Sequence, residues 1–125
     1  MTYRQKSGNK YHAVSTMYEG VAYHSKLEAA YAEELTLREK AKDIVSWERQ
    51  VKLDLKVNEI HITNYYIDFI IHHNDGHREF VEIKGMVTAL WRLKWLLLEA
   101  TFDDFKEQPD DCMTVIKQSS IRNYR

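Results

Sequence analysis

Hydrophobic and polar positions alternate through the middle of the chain: Val45, Trp47, Val51, Leu53, Leu55 and Val57 take every second place, broken only at Arg49. A period of two is that of a half-buried strand and predicts one over Val45 to Val57. A short turn at Asn58-Glu59 leads into a second run, Ile60 to His72, and Asn74-Asp75-Gly76 separates it from a third, Arg78 to Lys84. Both runs are rich in β-branched and aromatic residues, as strands are. On either side the period becomes helical. Ser25-x-x-Glu28 has the form of a capping box, followed by Leu27, Ala30, Tyr31, Leu35 and Ala41 near helical spacing. A second helix opens at Thr88 and runs to Phe102 or Phe105, with Leu90, Leu93, Leu97 and Ala100 as its inward stripe and Trp91, Arg92, Trp95 and Glu99 on the flank. Tyr11 to Tyr23 reads as an initial strand or hairpin turning near Glu19-Gly20. The turn Gln108-Pro109-Asp110-Asp111 precedes a last strand, Cys112 to Lys117. The order helix, three-stranded meander, helix, strand predicts an α/β fold.

The turn between the second and third strands decides which side chains meet. With Asn74-Asp75-Gly76 as a three-residue loop and Gly76 in the left-handed position, His73 stands opposite His77 and Asp68 opposite Glu82. A two-residue loop would shift the pairing by one and part the two carboxylates. The period of two also puts Glu82 and Lys84 on one face, with Val81 and Ile83 on the other. Facing carboxylates repel, and a divalent cation turns that repulsion into coordination, because hard ions such as Mg²⁺ take oxygen ligands. Taken alone, Glu82-x-Lys84 is the charge alternation of many solvated strands, and Glu28 is the third residue of a capping box, able to reach back to the Ser25 amide.

Taken together, Glu28, Asp68, Glu82 and Lys84 resemble the PD-(D/E)xK nuclease superfamily, in which an Asp opens one strand, an acid-x-Lys follows on the next and a Glu projects from the preceding helix. Tyr23-His24-Ser25-Lys26-Leu27-Glu28-Ala29, Gln50 leading a strand, Tyr66-Ile67-Asp68-Phe69, Glu82-Ile83-Lys84-Gly85 and Trp91-Arg92-Leu93-Lys94 look similar to small phage-encoded Holliday-junction resolvases. The likeness runs from Tyr23 to Phe102, with Ile67 standing where the superfamily name has Pro. It implies a restriction-endonuclease-like core with a central mixed sheet flanked by helices. It implies Mg²⁺, with Mn²⁺ as substitute, held by Asp68, Glu82 and the Ile83 carbonyl. Glu28 would bind directly, through water, or in a second site. Lys84 would orient or help deprotonate the attacking water, and Lys26 and Gln50 would touch the scissile phosphate or the nucleophile. The implied substrate is DNA, above all a four-way junction. The alternatives are a phage nuclease for linear duplex or single strands, or a non-catalytic nucleic-acid-binding protein of the same fold. Paired cuts on opposing strands need two centres, so a homodimer is expected.

Composition narrows this picture at several points. A chain of 125 residues fits one domain, with 1–10 and 119–125 as flexible basic ends. A hydrophobic content of 44% with 4 Gly and 1 Pro favours a compact core with few long loops. The single cysteine, Cys112, forms no internal disulfide framework. With a polar N-terminus and no apolar stretch longer than Trp95 to Leu98, a cytoplasmic protein is expected, in the host cell if phage-encoded, with no membrane partner. The net charge of -1 conceals a polarity, because all 19 Asp and Glu lie between Glu19 and Asp111. Arg4, Lys6 and Lys10 precede them and Lys117, Arg122 and Arg125 follow, as phosphate-contacting arms or solubilising tails would. Arg92 and Lys94 are further candidates for DNA phosphates. Trp91, Trp95 and Tyr31 could stack on bases, although aromatics at helical spacing more often pack. His72, His73 and His77 gather at the hairpin tip, which seldom provides the converging tetrahedral shell that zinc needs.

Overall fold

The computed structural model describes residues 16–18, 21–23 and 25–117. Its elements are β1 (Thr16–Tyr18), β2 (Val21–Tyr23), α1 (Lys26–Lys40), β3 (Ser46–Val57), β4 (Ile60–His72), β5 (Arg78–Lys84), α2 (Ala89–Ala100), a 3₁₀ turn (Phe102–Asp104) and β6 (Cys112–Lys117). β1 and β2 form a small antiparallel hairpin, and the residues of its expected turn, like the basic ends with Arg4, Lys6 and Lys10, lie outside the described residues. The main sheet has the order β3-β4-β5-β6. Its first three strands are an antiparallel meander and β6 runs parallel to β5, so the fold is α/β with a mixed sheet.

The β4–β5 turn takes the three-residue form. The His73 amide donates to the His77 carbonyl at 2.9 Å, the Gly76 amide to the His73 carbonyl at 3.0 Å, and Gly76 adopts φ 99°, where a side chain would be strained. The ladder then runs His72 to Arg78, Ile71 to Glu79, Ile70 to Phe80 and Phe69 to Val81. The paired ladder ends there, and beyond it the Ile83 amide donates to the Asp68 side chain at 2.9 Å, which keeps Asp68 beside the Glu82 end of β5.

Two apolar cores cover the faces of the sheet. Ala29, Tyr31, Ala32 and Leu35 of α1 pack with Ile44, Phe69, Ile71, Val81 and Ile83. On the other face Trp95 and Leu98 of α2 and Phe102 pack with Leu53, Leu55, Tyr65, Ile67, Ile70 and Phe80. The single alternating stripe read along β3 therefore divides. Trp47 joins the α1 core, whereas Val51, Leu53 and Leu55 join the α2 core. In β4 the same change falls between Ile67 and Phe69. At the crossing Gln50 adopts φ 51°, between the pairs Arg49 to Phe69 and Val51 to Ile67. That irregular backbone turns the strands over beside Asp68.

Helix α2 corrects the expected stripe. Thr88 caps it, its hydroxyl accepting from the Trp91 amide at 3.1 Å. Leu97 packs inward as expected, but beside it the inward residues are Trp91, Trp95 and Leu98, while Leu90 and Leu93, like Leu96, are more than half exposed and Ala100 is exposed too. Tyr65 and Phe102 meet Trp95 and Phe80 with favourable tilted and edge-on rings, so bulk selects the aromatic side of a helix that is leucine-rich almost all round. Trp95 and Tyr31 are buried, which removes both as base-stacking platforms. No helix among the described residues is long and apolar enough to cross a membrane.

Candidate metal centre

Three strongly polar residues are buried at one end of the sheet: Glu28, Asp68 and Glu82 are exposed by only 6%, 7% and 6%. Glu28 arrives on the first turn of α1, where the Ser25 hydroxyl accepts from its amide at 3.1 Å. Asp68 arrives from β4 and Glu82 from β5, in the register set by Gly76. All three line an open cleft of about 510 Å³ together with Ser25, Gln50, Tyr66, Ile83, Lys84 and Met86.

The partners of each carboxylate differ. Asp68 Oδ2 accepts from the Ile83 amide at 2.9 Å and Oδ1 from Gln50 Nε2 at 3.0 Å, so the left-handed Gln50 aims its side chain at the site. Burial, and then the charge of and hydrogen bond with Glu28, push Asp68 well above the usual carboxylate range, although the Ile83 amide works against them. For Glu82, burial first and the Asp68 charge second push the carboxyl up to about 8, against the opposing influence of Lys84 and of hydrogen bonding from Tyr65 and the Asp68 amide. Lys84 Nζ stands 3.7 Å from Glu82 Oε2, while Glu82 Oε1 is buried with no hydrogen-bond partner. A cluster of buried acids with one unsatisfied oxygen is unfavourable as it stands, and either protons or a cation must relieve it.

An all-oxygen donor set suits a hard divalent ion such as Mg²⁺ or Mn²⁺, and the orphaned Glu82 oxygen gives it a ligand position. Asp68 and Glu82 would hold it, with Ile83 and Glu28 lining the same cleft. Of the other sequence candidates, Gln50 reaches the site by its contact with Asp68. Lys94 lines a neighbouring cleft of about 250 Å³ with Asn64, Tyr65, Tyr66, Glu82, Thr88 and Trp91. Lys26 and Arg92 are exposed and line neither cleft.

A second group that could hold a metal ion lies at the far end of β5. One ligand atom each from Asp75, His77 and Asp110 come within 4.8 Å of one another. Asp110 was not foreseen, because it comes from the loop before β6 and no local spacing joins it to the hairpin. His73 and His77 stack with ring centroids 4.3 Å apart, yet each tip histidine has its own acidic partner: His72 pairs with Glu48 at 2.6 Å, His73 with Glu79 at 2.8 Å and His77 with Asp75 at 2.6 Å.

Also unforeseen were Tyr65 and Trp91 as neighbours of the acids. Trp91 Nε1 donates to the Tyr65 hydroxyl at 2.8 Å, and Lys84 Nζ sits 4.9 Å from the centre of the Trp91 ring.

No curated protein and no solved structure matches the chain. A family model does, over residues 8–114, and the chain belongs to that family, DUF1064, described as a protein of unknown function.

Proposed function

We propose that this protein is a Mg²⁺-dependent DNA endonuclease with a restriction-endonuclease-like core of the PD-(D/E)xK type, and that branched DNA, above all a four-way junction, is its substrate class. One observation carries the reading. Glu28, Asp68 and Glu82 are buried together around an open cleft, one Glu82 oxygen is unsatisfied, and Lys84 stands beside it. A core built for stability alone would not gather these acids, because paired apolar residues would cost less.

A bound Mg²⁺ supplies charge neutralisation at the phosphate and acidifies a water. The chain's residues do the rest. Asp68 and Glu82 fix the position of the phosphate by holding its counter-charge, and Glu28 keeps Asp68 oriented. Lys84, on the rim of the cleft with its side chain 22% exposed, reaches a non-bridging phosphate oxygen and the attacking water. Gln50 Nε2, tied to Asp68 Oδ1, sets that carboxylate's rotation.

The branched substrate rests on the sequence likeness, and so does the homodimer it requires. The exposed apolar side of α2, with Met86, Val87, Leu90, Leu93 and Leu96, is the surface that a second copy would cover. The test is cleavage of a labelled four-way junction against matched linear duplex and single strands, with Mg²⁺, Mn²⁺ or chelator, by wild type and Glu82→Ala. Metal-dependent nicking that Glu82→Ala abolishes supports the enzyme, and preference for the junction supports the substrate. Preference for linear or single strands makes it a general processing nuclease. Binding without any nicking makes it a non-catalytic DNA-binding protein.

A further inference from the structure

Four side chains from three elements close a ring around the candidate centre. Lys84 Nζ lies 3.7 Å from Glu82 Oε2 and 4.9 Å from the centre of the Trp91 ring. Trp91 Nε1 donates to the Tyr65 hydroxyl at 2.8 Å. Indole nitrogen is a donor only, so the hydroxyl accepts there and its own proton is free for another acceptor. Glu82, the acidic residue that lines the same cleft as Tyr65 and Trp91, stands there to receive it.

Nothing in the packing demands this arrangement. Tyr65 is 4% exposed and sits in the α2 core, where phenylalanine would fill the same space without a polar atom to satisfy. Trp91 stacks on Trp95, with centroids 5.7 Å apart, and it also keeps its N–H on the tyrosine and the lysine ammonium over its ring. The polar atoms of both aromatics therefore point at the residues proposed to do the chemistry.

We infer that Tyr65 and Trp91 are positioning residues of the metal centre, Tyr65 fixing the Glu82 carboxylate and Trp91 fixing both Tyr65 and Lys84. The inference rests on the metal-nuclease reading and extends it. Through Trp91, the docking of α2 becomes part of the geometry of β5. Side chains that orient a metal ligand change metal affinity by roughly 10 to 100-fold when removed. The Trp91 ring additionally holds Lys84 by cation–π attraction, which phenylalanine retains in part and leucine does not.

The experiment is calorimetric titration with Mn²⁺ in an Asp110→Asn background, so that the exposed Asp75, His77 and Asp110 group does not contribute. Thermal melts and cleavage at saturating Mn²⁺ accompany it. Glu82→Gln should lose Mn²⁺ binding. Tyr65→Phe should bind about 10-fold more weakly with an unchanged melting temperature, and excess Mn²⁺ should restore its cleavage. Trp91→Phe should follow Tyr65→Phe in direction. Trp91→Leu should in addition lose kcat that no Mn²⁺ concentration restores, because Lys84 has lost its ring. If Glu82→Gln abolishes binding while Tyr65→Phe and Trp91→Phe bind as wild type, the positioning role is wrong and the metal site stands. If Glu82→Gln binds as wild type, the metal reading itself has failed.

Discussion

Strand β5 ends on two buried acids that behave in opposite ways. At its start, Asp111 is 4% exposed and fully engaged. Its Oδ1 accepts from the Arg78 amide at 2.8 Å, and its Oδ2 accepts from the amides of Glu107 and Gln108 at 2.8 and 3.2 Å and from Arg78 Nη2 at 3.3 Å. Burial alone would push this carboxyl up, yet the three amides and the guanidinium outweigh it and hold it down to about 2. At the far end Glu82, 6% exposed, has one oxygen with no partner and is pushed up to about 8. Solvent exposure is alike in the two, although Glu82 lies far deeper in the protein. They differ also in satisfaction: Asp111 ties the loop before β6 to the sheet, whereas Glu82 keeps an oxygen without a hydrogen-bond partner.

The largest effect that separates the two is on activity. Glu82→Gln and Asp68→Asn should each cut Mg²⁺-dependent cleavage by more than about 100-fold, since losing a ligand exceeds the loss seen when its support is removed. Steady-state nicking by the folded variants checks this. Asp111→Ala should leave cleavage per folded molecule unchanged but cost about 3 kcal/mol of stability, because it strands the Arg78 guanidinium and the turn amides. Urea denaturation measures that cost.

Acidity should separate them in opposite directions. Asp111 titrates lower in the folded chain than in the unfolded one, so its stabilisation is present above the unfolded value near 4 and is lost as pH falls toward about 2. Glu82 titrates higher when folded. The metal-free protein therefore loses stability as pH rises from the unfolded value near 4.5 toward about 8. The loss is on the order of 2 kcal/mol after allowance for the neighbouring acids. Melting curves across that range should slope for wild type and slope less for Glu82→Gln, in which Asp68 is still held high by burial and Glu28. A smaller effect of the same origin is ligand stabilisation. Mg²⁺ at ten times its dissociation constant should stabilise wild type by about 1.4 kcal/mol at pH 8 and leave Glu82→Gln unmoved.

The site was legible in the sequence because local chemistry fixed it. Asn74-Asp75-Gly76 gave the loop, the loop gave the register as far as Phe69 and Val81, and Asp68 and Glu82 line one cleft just beyond it, with Ser25 capping the helix that carries Glu28. Strands β4 and β5 and the cap at Thr88 were equally local. What escaped was non-local. The α2 face was misassigned because leucines surround that helix, and only the aromatic neighbours on the sheet choose among them. The divided stripe of β3 depends on the left-handed Gln50, which no residue preference announces. Asp111 looked like one more turn residue because its partner Arg78 lies 33 positions away. Tyr65 was not singled out and Trp91 was placed on the helix flank, because a hydropathy pattern does not report where a hydroxyl or an indole N–H points.

The central claim is that the cation belongs to Glu82 and Asp68, and crystals soaked in Mn²⁺ test it most directly through the anomalous difference map. The account predicts a peak in the cleft, about 2.1 Å from an oxygen of Asp68 and from the orphaned Oε1 of Glu82, that disappears in Glu82→Gln. A peak confined to Asp75, His77 and Asp110, with the cleft empty at saturating Mn²⁺, would contradict it.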